Sequence, residues 1–226
     1  MSEAVWLIIP AYNVEKHLDK LLSETSKFIP AERTVVVNDG STDRLGAIAA
    51  NHGVQVIVHS ENMGKGKSLR DGFDYVTEIQ GTWAITIDGD LQHDPARIPA
   101  FIAASENGKY DIIIGKRNRS GTKMPWDRRL SNGLSSLLLA LVTGQKMEDV
   151  QCGYRMIRIA SLKGLVFNRV SYDFETELLL KLVRKGSKVG WVEIPTKYAG
   201  EKSSIRRLPD TMRFLGLVGL YLARRL

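Results

Sequence analysis

A chain of 226 residues, 43% hydrophobic and 25% charged, has the makeup of a folded domain with a sizeable core. Its single cysteine, Cys152, excludes an internal disulfide and a cysteine-rich zinc site, and no run of about 18 apolar residues marks a membrane-crossing helix. The net charge of +7 suits phosphate-rich ligands or an anionic membrane surface; the repeated basic stripe with aromatic interleaving of a nucleic-acid binder is absent. Residues 1–10 lack the basic flank and long apolar core of a signal peptide.

In chain order, Ala4–Ile9 is a short apolar run stopped by Pro10 and reads as a strand; Glu15–Ser26 follows with helical spacing through Leu18, Leu21 and Leu22. Thr34–Val37 is a second buried strand, and Asn38–Asp43 a turn in which Ser41 or Thr42 can cap a helix running to Asn51. Val54–His59 is a third strand. Asn62–Lys67 is a glycine-rich basic loop before a helix to about Glu78; its GKGK lacks the spacing of a P-loop. Trp83–Ile87 is a buried strand that ends abruptly in Asp88, Gly89, Asp90, Gln92, His93 and Asp94, with Pro95 opening a helix to Ser105 and Tyr110–Gly115 forming a fifth strand.

Strands and helices alternate to residue 115 with short connections, the pattern of a parallel sheet with crossover helices. In such a sheet the strand ends share one edge, so Tyr12 and Asn13, Asp39, and Asp88 with Asp90 converge where open α/β folds bind ligands. Oxygen donors spaced as Asp88 and Asp90 suit a hard cation, Mg²⁺ or Mn²⁺, which can hold a diphosphate. The plain alternative is a polar strand-to-helix turn, with Asp39 a turn former, His93 a solvated helix-start residue and Cys152 a packed thiol.

The second half is less regular. Arg117–Arg129 is a basic loop, Leu134–Val142 an apolar helical stretch, Val150–Ile159 extended in part, Phe174–Lys185 a helix, Lys188–Tyr198 a strand and Leu208–Leu226 a final helix.

Five stretches now stand in order: IIPAYN at 8–13, VVNDGSTD at 36–43, NMGKGKSLRDG at 62–72, DGDLQHDP at 88–95 and QCGYRM at 151–156. Together they resemble the family 2 glycosyltransferases of GT-A fold, and most of all the branch of dolichyl-phosphate mannose synthases and polyprenyl-phosphate glucosyltransferases, which keep a D-x-D-L-Q-x-x-P pattern. The resemblance covers residues 4 to about 205. It implies an α/β domain over 1–226, with a Rossmann-like nucleotide-sugar-binding half of mainly parallel sheet at 1–118 and an acceptor-binding half at 119–205. An amphipathic helix occupies 206–226.

The resemblance also implies inverting transfer of a hexose, mannose from GDP-mannose or glucose from UDP-glucose, onto a polyprenyl or dolichyl phosphate. Pro10, Tyr12, Asn13, Glu15 and Val37 would line the nucleotide pocket, with Asp39 on the base and Lys65 near the nucleotide. Asp88, Gly89, Asp90 and Gln92 would form the diphosphate site, with Asp88, Asp90 and Gln92 as ligands of Mg²⁺ or Mn²⁺. Arg117 would approach the donor phosphates, and Arg128, Arg129 and Ser131 the lipid phosphate; Asp90, Arg117 and Arg128 are the catalytic set. CGYR at 152–155 stands where the family usually has S-G-F-R, a mild departure.

A lipid monophosphate is already an anionic nucleophile, so no strong base is required. A hydroxyl acceptor would need one, from Glu175 or Glu177, at most one of which faces the site, or from Asp149. Arg155 reads equally as a site residue or a structural ion-pair residue, and Lys202–Arg207 as a solvated loop or a basic loop closing over phosphates. Such an enzyme is expected at the cytoplasmic face of the membrane, held through Leu134–Val142 and Phe214–Leu222 with flanking arginines, either as a peripheral protein or with its natural chain continuing past Leu226.

Overall fold

The computed structural model describes residues 4–118, 126–195 and 207–224, without the side chains of 126–131 and 207–210. The elements run β1 (Val5–Ala11), α1 (Glu15–Thr25), β2 (Thr34–Asn38), α2 (Leu45–Asn51), β3 (Gln55–Val58), α3 (Lys65–Glu78), β4 (Trp83–Thr86), α4 (Ile98–Glu106), β5 (Ile112–Arg117), α5 (Trp126–Thr143), β6 (Arg155–Arg158), α6 (Ile159–Leu162), α7 (Phe174–Arg184), β7 (Val189–Ile194) and α8 (Arg207–Leu222). Short 3₁₀ turns precede β2 and α4.

The strands form one seven-stranded sheet in the order β3-β2-β1-β4-β6-β5-β7. Every pairing is parallel except those of β6, which runs antiparallel to both β4 and β5. The near-continuous apolar runs of β1, β2 and β5 follow from burial on both faces of a helix-covered sheet: Leu7–Ile9, Val35–Val37 and Ile112–Ile114 are all fully buried. Two strands from beyond residue 118, β6 and β7, join the same sheet.

The mainly parallel α/β architecture read from the alternation is the one observed, and β2, β1 and β4 lie side by side, so their carboxyl ends share one edge. The antiparallel β6 points the other way, and its leading residues, Cys152–Tyr154, therefore enter the sheet at that edge. Thr86 at the end of β4 donates through its hydroxyl to the Gly153 carbonyl at 2.8 Å.

Several expected boundaries move. Lys65–Lys67 belong to the first turn of α3 and not to a loop; the turn itself is made by Gly64, whose φ of +95° favours glycine and whose absent Cβ would lie 2.6 Å from the Val170 carbonyl oxygen. Neither Ser41 nor Thr42 caps α2. The helix starts later, and Asp43 Oδ1 accepts from Leu45 N–H, while Ser41 Oγ accepts from Asn13 N–H. The basic stretch 117–129 is helical from Trp126, and β7 ends at Ile194, the part of the expected strand from residue 196 to Tyr198 lying outside the described residues.

Candidate active site at the carboxyl edge of the sheet

The site is built from the loops that leave β1, β2 and β4, closed by the start of α3 and by α7. After β1, Tyr12 is 47% exposed and Asn13 takes a positive φ of 52°. Asn13 and Glu15 stitch this turn to the one after β2: Asn13 Oδ1 accepts from Thr42 N–H at 2.9 Å, and Glu15 Oε2 accepts from Arg44 N–H at 2.9 Å. That backbone N–H is the main cause holding the Glu15 carboxyl below its usual range. Pro10 is paired in register with Val37, whose side chain is fully buried in the core.

Asp39 is 3% exposed. Its carboxylate accepts from His59 Nδ1 at 2.7 Å and from the N–H groups of Met63 and Gly64 at 2.9 Å each. It builds the loop ahead of α3, whatever else it does.

The centre of the site is Lys65. Its Nζ lies 2.7 Å from Asp88 Oδ1 and 3.2 Å from Glu175 Oε2, so the first residue of α3 bridges the acidic turn after β4 and the first turn of α7. Burial alone would lower the Lys65 pKa, but the charges of Asp88 and Glu175 outweigh it and the pKa is raised. Burial alone would raise that of Asp88; the Lys65 charge reverses this and holds it below the usual carboxylate range. Gly153 leaves the room: a Cβ there would lie 2.9 Å from both Asp88 Oδ2 and Lys65 Nζ. Glu175 Oε1 is buried and has no hydrogen-bond partner among the described residues.

His93 is not the solvated residue expected. It is 7% exposed, with its ring centroid 5.3 Å from that of Tyr154 and Nε2 3.9 Å from Asp88 Oδ2. Burial lowers its pKa to about 4, so the ring is neutral at neutral pH. Asp90 Oδ1 accepts from Gln92 N–H at 3.0 Å, Gln92 is exposed, and the buried Gly89 packs near Val14.

Arg117, at the end of β5, is engaged by Asp149 in a bidentate pair, with Nε and one terminal nitrogen each 2.7 Å from a carboxylate oxygen. This removes Asp149, 1% exposed, from the three carboxylates considered as a base. Glu177 is likewise committed, to the N–H groups of Asn168 and Arg169 and to Lys181. Glu175 is the one of the three beside Lys65. Arg155 is structural: its guanidinium donates to the carbonyls of Val150, Cys152 and Glu175 at 2.7–2.8 Å, tying the edge segment to α7. Cys152 is a packed thiol, pushed up to about 12 by burial. Arg128, Arg129 and Ser131 fall in α5, but their side chains lie outside the described residues, as does the basic stretch 202–206.

No three His, Cys, Asp or Glu side chains converge on a metal position among the described residues. The available donors, carboxylates and an amide oxygen at the end of β4, fit a hard cation held by one or two carboxylates and completed by phosphate oxygens.

The mixed, mainly parallel seven-stranded sheet with helices on its faces is the fold of the GT-A glycosyltransferases. The model of the glycosyl transferase family 2 matches residues 6–166, and the chain belongs to that family. It is 26% identical to the undecaprenyl-phosphate mannosyltransferase of Micrococcus luteus, over 95% of this chain and 89% of that one. It is 31% identical to the dolichol-phosphate mannosyltransferase of Pyrococcus furiosus, over 84% of this chain and 55% of that one. The glucosyl-3-phosphoglycerate synthase of Mycobacterium tuberculosis, crystallised with Mn²⁺ and UDP-glucose, superposes with a TM-score of 0.73 at 18% identity, covering 99% of this chain and 79% of that one.

Proposed function

We propose that this chain transfers a hexose, mannose from GDP-mannose, to a polyprenyl or dolichyl phosphate with inversion, using Mg²⁺ or Mn²⁺. The observation that carries the reading is the meeting of Lys65 with the acidic turn Asp88–Gln92 at the shared edge of β1, β2 and β4. The lipid-phosphate relatives named above support the acceptor, and their mannosyl activity supports the sugar.

In this reading Asp88, Asp90 and Gln92 hold the cation, which neutralises charge on the departing nucleoside diphosphate when bound. Lys65 and Arg117 add fixed positive charge on the same side. A phosphate oxygen of the lipid attacks the anomeric carbon as the carbon–oxygen bond to the diphosphate breaks, and Arg128, Arg129 and Ser131 orient that phosphate. The nucleophile arrives deprotonated, which agrees with Asp149 and Glu177 being locked in structural pairs.

The membrane surface is the site of this reaction, at its cytoplasmic face. Among the described residues no helix is long and apolar enough to cross a membrane. Both candidate helices are instead amphipathic: α5 buries Leu139 but exposes Leu134, Leu137 and Leu141 by 57–73%, and α8 buries Leu217 but exposes Met212, Leu215 and Leu222. The exposed leucines of α5 recur at helical spacing on one side, as an interfacial helix requires.

A UDP-glucose donor is the second reading, favoured by the fold likeness to a structure holding UDP-glucose and Mn²⁺. Calorimetric titration with GDP-mannose and UDP-glucose, each with and without Mn²⁺, separates the two. Mn²⁺-dependent binding of GDP-mannose, lost in Asp90→Ala, is the expected result; binding of UDP-glucose alone would transfer the assignment to the second donor.

A further inference from the structure

We propose that His59 is a positioning residue for the nucleotide side of the site, a role that rests on the nucleotide-sugar reading above. His59 follows β3 directly and is 8% exposed. Its backbone N–H donates to the Asn38 carbonyl at 2.9 Å, which seats the ring under the turn after β2. Both ring nitrogens then face carboxylates: Nδ1 is 2.7 Å from Asp39 Oδ1, and Nε2 is 2.8 Å from Asp71 Oδ2. The ring thus bridges two carboxylates, one from the turn after β2 and one from α3. Beyond it, Asp71 is paired with Lys67 one turn back on α3, Nζ to Oδ2 being 2.6 Å. Side-chain contacts therefore run without a break from Asp39 to His59 to Asp71 to Lys67.

This chain ends where the loop ahead of α3 is fixed. Asp39 Oδ1, the oxygen that His59 holds, also accepts Met63 N–H, and its partner Oδ2 accepts Gly64 N–H. Gly64 is followed at once by Lys65, the cation at the centre of the site. The hydrogen-bond partners of His59 are Asn38, Asp39 and Asp71, none of them in the acidic turn Asp88–Gln92. It acts through Asp39, the residue assigned to the base, and through the loop that delivers Lys65. Removing the ring leaves a buried carboxylate short of a partner and loosens the Met63–Gly64 amides, so donor affinity falls.

His59→Gln tests this. The glutamine amide can donate to Asp39 only by turning its carbonyl oxygen toward Asp71, where two acceptors oppose each other. Adding Asp71→Asn replaces that clash with an N–H donor and restores the chain of hydrogen bonds without a charge. Amide hydrogen exchange at Met63 and Gly64, and calorimetry with GDP and UDP in the presence of Mn²⁺, are read on the wild type and each variant. In His59→Gln we expect loss of protection at both amides and about tenfold weaker nucleotide binding. The double variant should recover both to within about threefold.

Unchanged protection or unchanged nucleotide affinity in a folded His59→Gln would overturn the role. So would a double variant no better than the single one, because a purely structural loss is not repaired at Asp71. Should His59→Gln fail to fold, Asp71→Asn alone carries the test, with weaker protection of the same two amides expected and no change overturning the proposal. A wild type that binds neither nucleotide but shows the exchange pattern above would refute the nucleotide reading and not the His59–Asp39 link.

Discussion

Replacing Lys65 by methionine keeps the length of the side chain and removes the ammonium between Asp88 and Glu175. The three side chains are 16%, 28% and 11% exposed, so the carboxylates left behind are largely shielded from water and repel each other. Breaking a buried ion pair by removing one partner costs about 3 kcal/mol or somewhat more. In a domain of 226 residues, about 3 kcal/mol corresponds to a fall of roughly 6–12 °C in Tm. The effect depends on pH in a defined direction. In the wild type the lowered Asp88 pKa contributes stability that is present above the ordinary carboxylate range and lost as pH falls through the folded-state value. The difference between wild type and Lys65→Met is therefore largest near neutral pH and shrinks below about pH 4. Adding Glu175→Gln to Lys65→Met should return part of the loss, since one of the stranded charges is gone. Urea denaturation of the three proteins at pH 7 and pH 4 measures all of this. A Lys65→Met protein as stable as the wild type at pH 7, or one that loses more at pH 4 than at pH 7, would refute the reasoning.

Gly153→Ala should weaken donor binding at least about tenfold and cost about 1–3 kcal/mol, because the new methyl falls 2.9 Å from both Asp88 Oδ2 and Lys65 Nζ; calorimetry and denaturation check the two effects. His93, with a pKa lowered from 6.5 to about 4, makes the unfolded state bind more protons between those values, so stability falls as pH drops from about 6.5 toward 4. His93→Phe should flatten that slope, and imidazole chemical shifts in the wild type should show no titration of this ring at pH 6. Leu137→Glu with Leu141→Glu should leave Tm within about 2 °C, as both side chains are more than half exposed, yet sharply reduce sedimentation with anionic vesicles.

Much of this site can be read along the chain because its groups sit at strand ends. Apolar runs of four to seven residues that stop at Asn13, Asp39 and Asp88 mark the edge of a parallel sheet, and β2, β1 and β4 do lie next to one another. What periodicity cannot reveal is a side chain committed across the fold. Arg117 and Asp149 are 32 residues apart, and nothing local to either signals the bidentate pair. His59 follows a strand without a recognisable motif, and its carboxylate partners come from the turn after β2 and from α3. His93 stands in a polar turn that sequence treats as solvated; in the fold it is buried, with the ring of Tyr154, just ahead of the antiparallel β6, packed beside it. That antiparallel strand is itself hard to foresee, since RMIR carries no direction.

The central claim is hexose transfer to a lipid phosphate at the carboxyl edge of this sheet. The most direct measurement incubates the protein with radiolabelled GDP-mannose or UDP-glucose, Mn²⁺ and a polyprenyl phosphate in detergent, and counts label in the organic phase. Transfer from GDP-mannose into an acid-labile lipid product, abolished in a folded Asp90→Ala variant, is the predicted result. Label appearing only in a water-soluble glycoside, or full lipid product from Asp90→Ala, would contradict it.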